Sequence, residues 1–341
     1  MPIIDSKSGL EARLGASQIA QKAREGRANA LIAIAFAKSG HPGGSLSIMD
    51  VAAALYYGVL RHDPSNPQWG GRDRLFWSGQ HKCPAQYALL GMAGYYPLED
   101  FLVGLRLLGS PFQGHPDWKK CKGIEMSGGS LGQGLSVAVG DALALRLDGS
   151  ASRVYCIMGD GEQQEGSVWE AAMAAGNYKL DNLCAVIDCN GLQIDGCVKD
   201  VMDIEPLGDK YRAFGWEVID VDGHDINEIL VAFEKAKTVR GKPTAILAKT
   251  VKGKGVPFME NAAGWHGKAE SMEQLQVALK DLGCEAMLTP SLLAKAKSAR
   301  DDVAKKFGDQ IPKEQRPFWW NSQPLMKADM AATRKGFGAC L

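Results

Sequence analysis

The chain of 341 residues is 45% hydrophobic and 23% charged, a globular composition that excludes disordered and fibrous structure. Its 39 lysines and arginines balance 39 aspartates and glutamates, so no net field steers polyanions, and general nucleic-acid or membrane-surface binding is disfavoured. The longest apolar run, Ala30 to Ala37, is too short for a membrane span, and the start, Met1-Pro2-Ile3-Ile4-Asp5-Ser6-Lys7, lacks the apolar core of a secretory signal; a cytoplasmic protein is expected.

In chain order, the first 150 residues read as helices joined by glycine-rich loops. Apolar spacing predicts a helix from Gln18 to Ser39 that stops at Gly40, and a second from Ser47 to Leu60 with Ser47 as its cap. Two more are predicted over Pro84–Met92 and Leu98–Leu108. The loops between them carry His41, His81 and His115; His62, before Asp63-Pro64, reads as a turn residue. Ser127-Gly128-Gly129-Ser130-Leu131-Gly132-Gln133-Gly134 then leads into an alanine- and leucine-rich helix. Such a start can bind an anion through free amides, or let two helices approach closely.

From Leu131 onward the pattern alternates helical segments with short apolar runs. These runs are Val154–Met158, Leu183–Ile187, Trp216–Val221 and Thr244–Ala248, separated by helices such as Val168–Asn177 and Asn227–Val239. Runs so short and so apolar suit strands buried on both faces of a parallel sheet, so the fold class is α/β, doubly wound. Ligands in such sheets bind beyond the carboxyl ends of the strands. The residues found there are Gly159-Asp160-Gly161, Asp188-Cys189-Asn190-Gly191, Asp222-Gly223-His224, and the stretch Lys249 to Gly255. His224 can simply precede its helix. A lysine- and alanine-rich helix is predicted over Ser291–Phe307, followed by a tail with Pro312, Pro317, Phe318, Trp319, Trp320 and Pro324 that suits packing along a surface. The eight cysteines are scattered without a C-x-x-C pair and read as reduced, mostly core residues.

Two constellations carry chemistry. Asp160 at one strand end and Asn190 at the next, with the carbonyl of Leu192, offer three oxygens to a hard cation, which leaves positions for phosphates. Four histidines stand in glycine- or proline-flanked loops: Gly40-His41-Pro42-Gly43-Gly44, Gln80-His81-Lys82, Gly114-His115-Pro116 and Trp265-His266-Gly267. Together they suit binding of hydroxyls or phosphate and proton movement near neutral pH. Neither a dinucleotide Gly-x-Gly-x-x-Gly after a strand nor a P-loop is present.

Gly159-Asp160-Gly161 with Asn190 resembles the thiamine diphosphate fingerprint. Added to the Gly40–Gly44 motif, Gly114-His115-Pro116, Leu131-Gly132-Gln133-Gly134 and Trp265-His266-Gly267, it makes the chain similar to transketolases over residues 16–283. The resemblance implies a diphosphate-binding domain over 1–283, with 284–341 as a helical and proline- and aromatic-rich extension. A complete transketolase adds a pyrimidine-binding and a C-terminal domain. The chain therefore resembles the N-terminal subunit of a split transketolase, completed by a separate C-terminal subunit that supplies the activating glutamate, in an α2β2 heterotetramer.

By resemblance, Asp160, Asn190 and the Leu192 carbonyl would hold Mg2+ (or Ca2+) on the thiamine diphosphate, and Gly161 would contact the phosphates. Gly129, Ser130, Leu131 and His81 would touch the cofactor, and Glu165 would face the subunit interface. His41, His115 and His266 would line the substrate channel, bind sugar hydroxyls and shuttle protons. The implied activity is transfer of a two-carbon ketol unit from a ketose phosphate to an aldose phosphate. Alternatives are a sulfonated or branched sugar as substrate, or a non-catalytic regulatory subunit of the same fold. Three features depart from the family: Gln80 stands where glycine is usual, with Lys82 after the histidine; Gly128 replaces a threonine; and Lys119, Lys120 and Lys122 make the loop after His115 basic.

Overall fold

A computed structural model describes residues 13–308 together with 319–320 and 323–324; Cys340 and most of the tail lie outside the described residues. The chain forms two compact units divided between Ala299 and Arg300.

The first unit opens with α1 (Ala16–Ala37), α2 (Pro42–Ser47) and α3 (Met49–Ala54), which continues as a single π turn over Leu55–Val59. Helix α1 ends at Lys38, which takes the left-handed conformation (φ 49°), and not at Gly40. Gly40 is required for packing instead, because a Cβ there would stand 2.7 Å from Ile34. The expected helix from Ser47 is replaced by α2 and α3, and Ser47 caps nothing. Its hydroxyl donates to Asp188 at 2.7 Å, since Pro42 starts a helix earlier than the apolar spacing suggested.

The expectation that the first 150 residues are all helical is corrected by β1 (Arg74–Trp77). After it come α4 (Cys83–Ala93) and α5 (Leu98–Gly104), the latter ending four residues before the predicted Leu108. Next are α6 (Gln133–Leu147), β2 (Val154–Gly159), α7 (Gly166–Asn177), β3 (Leu183–Cys189), and the hairpin β4 (Leu192–Gln193) and β5 (Gly196–Cys197). The unit continues with α8 (Val198–Met202), α9 (Leu207–Ala213), β6 (Glu217–Asp222), α10 (Ile226–Thr238), β7 (Thr244–Lys249), α11 (Met272–Asp281) and the first part of α12 (Pro290–Phe307). The second unit contains the antiparallel pair β8 (Trp319–Trp320) and β9 (Gln323–Pro324).

Five strands form one parallel sheet in the order β1-β2-β3-β7-β6. Alternate residues of each strand enter different cores, as the two-residue period requires. Tyr155, Ile157, Cys184, Val186 and Ile246 pack with α1, α3, α4 and α10. Val154, Cys156, Met158, Leu183, Ala185 and Ile187 pack with α6, α7 and α9. The runs in β2, β3 and β7 are thus buried on both faces, as expected, but the fourth is not: β6 is an edge strand, with Glu217, Val218 and Ile219 only half-buried and Asp220 exposed. Helix α1 is itself enclosed, with every residue from Arg27 to Phe36 buried among α3, α4, α5 and α11. Leu292 and Ala296 of α12 join the same core, so packing continues beyond residue 283.

Connections run one way from β1 through β3 to β6 and then return to β7. The helix after β6 therefore covers the opposite face from those after β2 and β3. The reversal falls between β3 and β7, and doubly wound sheets bind ligands in the crevice at the carboxyl ends of the strands at such a point. Among the described residues no helix is long and apolar enough to cross a membrane. Cys83, Cys121, Cys156 and Cys184 are buried, whereas Cys189, Cys197 and Cys284 are only half-buried; all seven are free thiols.

Candidate functional site

At the end of β2, Asp160 is 5% exposed and its carboxylate is cradled by backbone amides: Gly161 donates at 2.8 Å and Gly191 at 2.5 Å. Gly191 has φ 75°, which a side chain would resist, so glycine lets the loop turn its amide onto the carboxylate. Burial, then the neighbouring Asp188, pushes the Asp160 carboxyl up to about 6. Asn190 donates to Asp188 at 3.1 Å and its Oδ1 accepts from the Leu192 amide at 3.2 Å. The three oxygens expected to serve a cation thus lie on neighbouring loops at one crevice. Among the described residues no group of three or more His, Cys, Asp or Glu could share a metal. A cation here would rest on one carboxylate, one amide and one carbonyl, a donor set that fits a hard ion shared with phosphate oxygens.

Two lysines that the sequence marked only as a departure after His81 and as part of the stretch Lys249 to Gly255, and not as site residues, are built into this crevice. Lys82, 2% exposed, places Nζ 2.5 Å from Asp188, which is fully buried and also accepts from Ser47, Asn190 and Thr250. Lys252, 1% exposed, donates to the Leu192 carbonyl at 2.8 Å and contacts His266 Nδ1 at 3.1 Å. Burial and Lys82 bring the Lys252 ammonium down to about 8. Lysine on a glycine-punctuated loop beyond a strand end was the available signal for Lys252.

The histidines divide three to one. The rings of His41, His81 and His266 meet with centroids 5.1 to 5.5 Å apart. Burial, then the surrounding Lys82, His266, His41 and Lys252, holds His81 well below the usual imidazole range. Lys252 links this cluster to the oxygen set. His115 stands apart and exposed, its ring packed on Gly129, where a Cβ would approach to 3.3 Å. Gly129 and Ser130 are exposed and Leu131 half-buried along the same edge, as is exposed Glu165 beside Gly132. Gly161 flanks Asp160 and opens onto Gln193.

The other two histidines lie outside. His62 is a buried core residue and not a turn residue: Tyr95 Oη lies 3.0 Å from Nδ1 and the Tyr56 carbonyl 2.8 Å from Nε2. His224 accepts from the Val251 amide on Nε2 and so donates from Nδ1 to Asp50, which also pairs with Arg27. This buried network fastens the loop after β7 to α1 and α3.

The glycine-rich start of α6 serves close approach, to the ends of β1 and β2 and not to a second helix as expected. Gly132 N donates to Glu162 Oε1 at 2.8 Å and Gly134 N to Ser78 Oγ at 3.0 Å, so these amides are used within the protein. Glu162, buried and also bound to Ser78 and the Gly159 amide, ties the ends of β1 and β2 to that turn.

Two departures from the family pattern prove to be one. The Gln80 amide fills the space beside Gly128, where a Cβ would stand 2.9 Å away, and its Nε2 donates to the Met126 carbonyl at 2.8 Å. Gly128→Thr alone is expected to expel Gln80 and lower stability by about 1 to 3 kcal/mol. Combined with Gln80→Gly it should cost less than the sum of the two changes, by about 1 kcal/mol or more in urea unfolding; additive costs would refute the coupling.

Glu270, four residues after His266, is 4% exposed with no partner for either carboxylate oxygen among the described residues, and burial pushes it up to about 8. The folded chain thus binds this proton more tightly than the unfolded chain, and stability falls as pH rises from about 4.5 through 8. Glu270→Gln is expected to flatten that slope and to stabilise the chain at pH 8 to 9 by roughly 2 to 4 kcal/mol. Parallel stability–pH curves for the two proteins would contradict this.

A doubly wound sheet with an amide-cradled carboxylate, a neighbouring asparagine and a histidine cluster at its switch point defines a thiamine diphosphate-binding fold. The chain belongs to the transketolase family: residues 19–323 match the family described as transketolase, thiamine diphosphate binding domain. It is 48% identical over 243 residues to the 6-deoxy-6-sulfo-D-fructose transketolase subunit of Clostridium sp. (strain MSTE9), covering 71% of this chain and 88% of that one. It is 42% identical to an apulose-4-phosphate transketolase subunit of Phocaeicola vulgatus, covering 72% and 87%. Among solved structures it is similar to transketolase from Campylobacter jejuni, with a TM-score of 0.76 and 34% identity over 88% of this chain and 49% of that one. It is a transketolase-type enzyme subunit that spans about half the length of the complete transketolase structures it matches.

Proposed function

We propose that this chain is the diphosphate-holding subunit of a two-chain transketolase that moves a two-carbon ketol unit from a ketose to an aldose. The observation that carries the reading is Lys252, which touches both the Leu192 carbonyl and His266 and so joins a cation-binding oxygen set to a histidine-lined cleft. Asp160, Asn190 and the Leu192 carbonyl hold Mg2+ or Ca2+ on the thiamine diphosphate, and Gly161 approaches its phosphates. When bound, the thiazolium supplies the electron sink that cleavage beside a ketose carbonyl requires. His81 with Gly129, Ser130 and Leu131 borders the cofactor. His41, His115 and His266 bind sugar hydroxyls and orient the donor, and enclosure of the cleft excludes water. Glu165, exposed at the edge, faces the partner, a C-terminal transketolase subunit in an α2β2 heterotetramer. Residues 1–283 form the diphosphate-binding domain in this reading and 284–341 an extension.

The test is co-expression with a C-terminal transketolase subunit, followed by a ketol-transfer assay with thiamine diphosphate and Mg2+, the chain alone serving as control. Activity only in the mixture supports the proposal; full activity of the chain alone refutes the two-chain form. A second reading, an unusual sugar donor, is favoured by the exposed Lys120 and Lys122 beside the His115 loop, together with relatives named for 6-deoxy-6-sulfo-D-fructose and apulose 4-phosphate. Parallel assays with 6-deoxy-6-sulfofructose, apulose 4-phosphate and xylulose 5-phosphate separate the two.

A further inference from the structure

Arg106 lies outside every motif above, yet its guanidinium is wedged between the two loops that carry His41 and His115. Nη2 stands 3.2 Å from His41 Nδ1, and Nη1 donates to Ser39 Oγ at 2.7 Å. Space for the group exists because residue 114 is glycine: a Cβ there would come within 2.7 to 2.9 Å of the guanidinium. The backbone at Arg106 is left-handed (φ 54°), a conformation costing a non-glycine residue about 1 kcal/mol, and it turns the side chain back towards α1. The amide of Arg106 donates to the Phe112 carbonyl at 2.7 Å, which fixes that turn.

A guanidinium has donors only, so the Nδ1 of His41 that meets it must be the acceptor, and the ring's single proton then sits on Nε2. We infer that Arg106 is a positioning residue that fixes His41 as a neutral, Nε2-protonated imidazole, so that the ring offers the cleft a hydrogen-bond donor and not a base. Resting on the reading of His41 as a channel residue, this gives that histidine a definite role, donation of a hydrogen bond to a carbonyl or hydroxyl oxygen of the sugar. The same charge, after burial, lowers His115 and so favours its uncharged imidazole at neutral pH.

The direct test is the nitrogen NMR signature of the histidine side chains in the full-length chain, with the His41 signals assigned by their loss in His41→Gln. The wild-type chain is expected to show His41 with its proton on Nε2, and Arg106→Met to show a mixture of tautomers. Arg106→Lys, which keeps a donor, should restore the wild-type pattern. Gly114→Ala should reproduce the mixture by displacing the guanidinium, a safeguard if Arg106→Met does not fold. A wild-type His41 protonated on Nδ1, or spectra unchanged by Arg106→Met and Gly114→Ala, overturns the inference. In the enzyme completed by its partner, Arg106→Met should lower kcat/KM by about tenfold or more while leaving thiamine diphosphate affinity within about threefold. If the tautomers behave as expected but His41→Gln itself leaves ketol transfer intact, the assignment of Arg106 stands and the channel role of His41 falls.

Discussion

Asp160→Ala is expected to weaken metal-dependent thiamine diphosphate binding by at least about 100-fold while leaving the fold in place. Losing a group that merely supports a metal ligand costs 10- to 100-fold in affinity, and Asp160 is the only carboxylate of the proposed oxygen set, so its loss leaves diphosphate charge poorly compensated. Two effects on the cofactor-free chain oppose each other. Removing a buried carboxylate with its carboxyl raised to about 6 relieves up to about 3 kcal/mol at pH 8. Leaving the Gly161 and Gly191 amides without an acceptor costs a similar amount, about 1 to 3 kcal/mol each at full burial and less where water can enter. Stability should therefore change little. Titration of cofactor into the completed enzyme at fixed Mg2+, beside a thermal melt of the chain alone, reads both. Unchanged affinity would count decisively against this site; a collapsed melt would assign Asp160 to the fold.

Lys82→Met should produce the largest loss of stability. The pair Lys82–Asp188 is dry on both sides, and removing the ammonium leaves a carboxylate with only two hydroxyls and an amide for company. Breaking a buried pair in this way costs about 3 to 5 kcal/mol, because the surviving charge cannot reach water. Adding Asp188→Asn removes that charge, and the double variant should recover most of the loss. Urea unfolding of the four proteins gives the coupling directly, and a single-variant cost under about 1 kcal/mol would show that Asp188 takes up its proton or finds water.

The strands flanking the crevice were legible because β2, β3 and β7 each carry an unbroken apolar run, Val154–Met158, Leu183–Ile187 and Ala245–Ala248, as burial on both faces requires. β1 was not: four residues beginning with Arg74, set in polar loops, carry no such run, and pairing with β2 alone makes them a strand. The histidine trio could be read from glycine-flanked loops, yet nothing in the spacing separated His115, which the chain leads away onto Gly129. Asp160 and Asn190 were legible as strand-end turns. Lys82 and Lys252 were not, because lysine ordinarily signals solvent, and only tertiary contacts show that each answers a buried oxygen. His62 failed for the same reason in reverse: its Asp-Pro neighbours signal a turn while its ring enters the core between Tyr56 and Tyr95.

The enclosure of α1 has a consequence for how this chain can change. An amphipathic helix offers one face to neutral drift, but from Arg27 to Phe36 α1 has no outer face, and small residues such as Ala28, Ala30 and Ala33 leave no room for growth. Variation and engineered labels must settle elsewhere. The outward side of α10, where Val231 is 68% exposed, is a place to attach a dye or a tag without touching the crevice. Deep mutational scanning should accordingly find Arg27–Phe36 as intolerant of larger side chains as the fully buried α2 and α3, although none of its residues is assigned a part in chemistry.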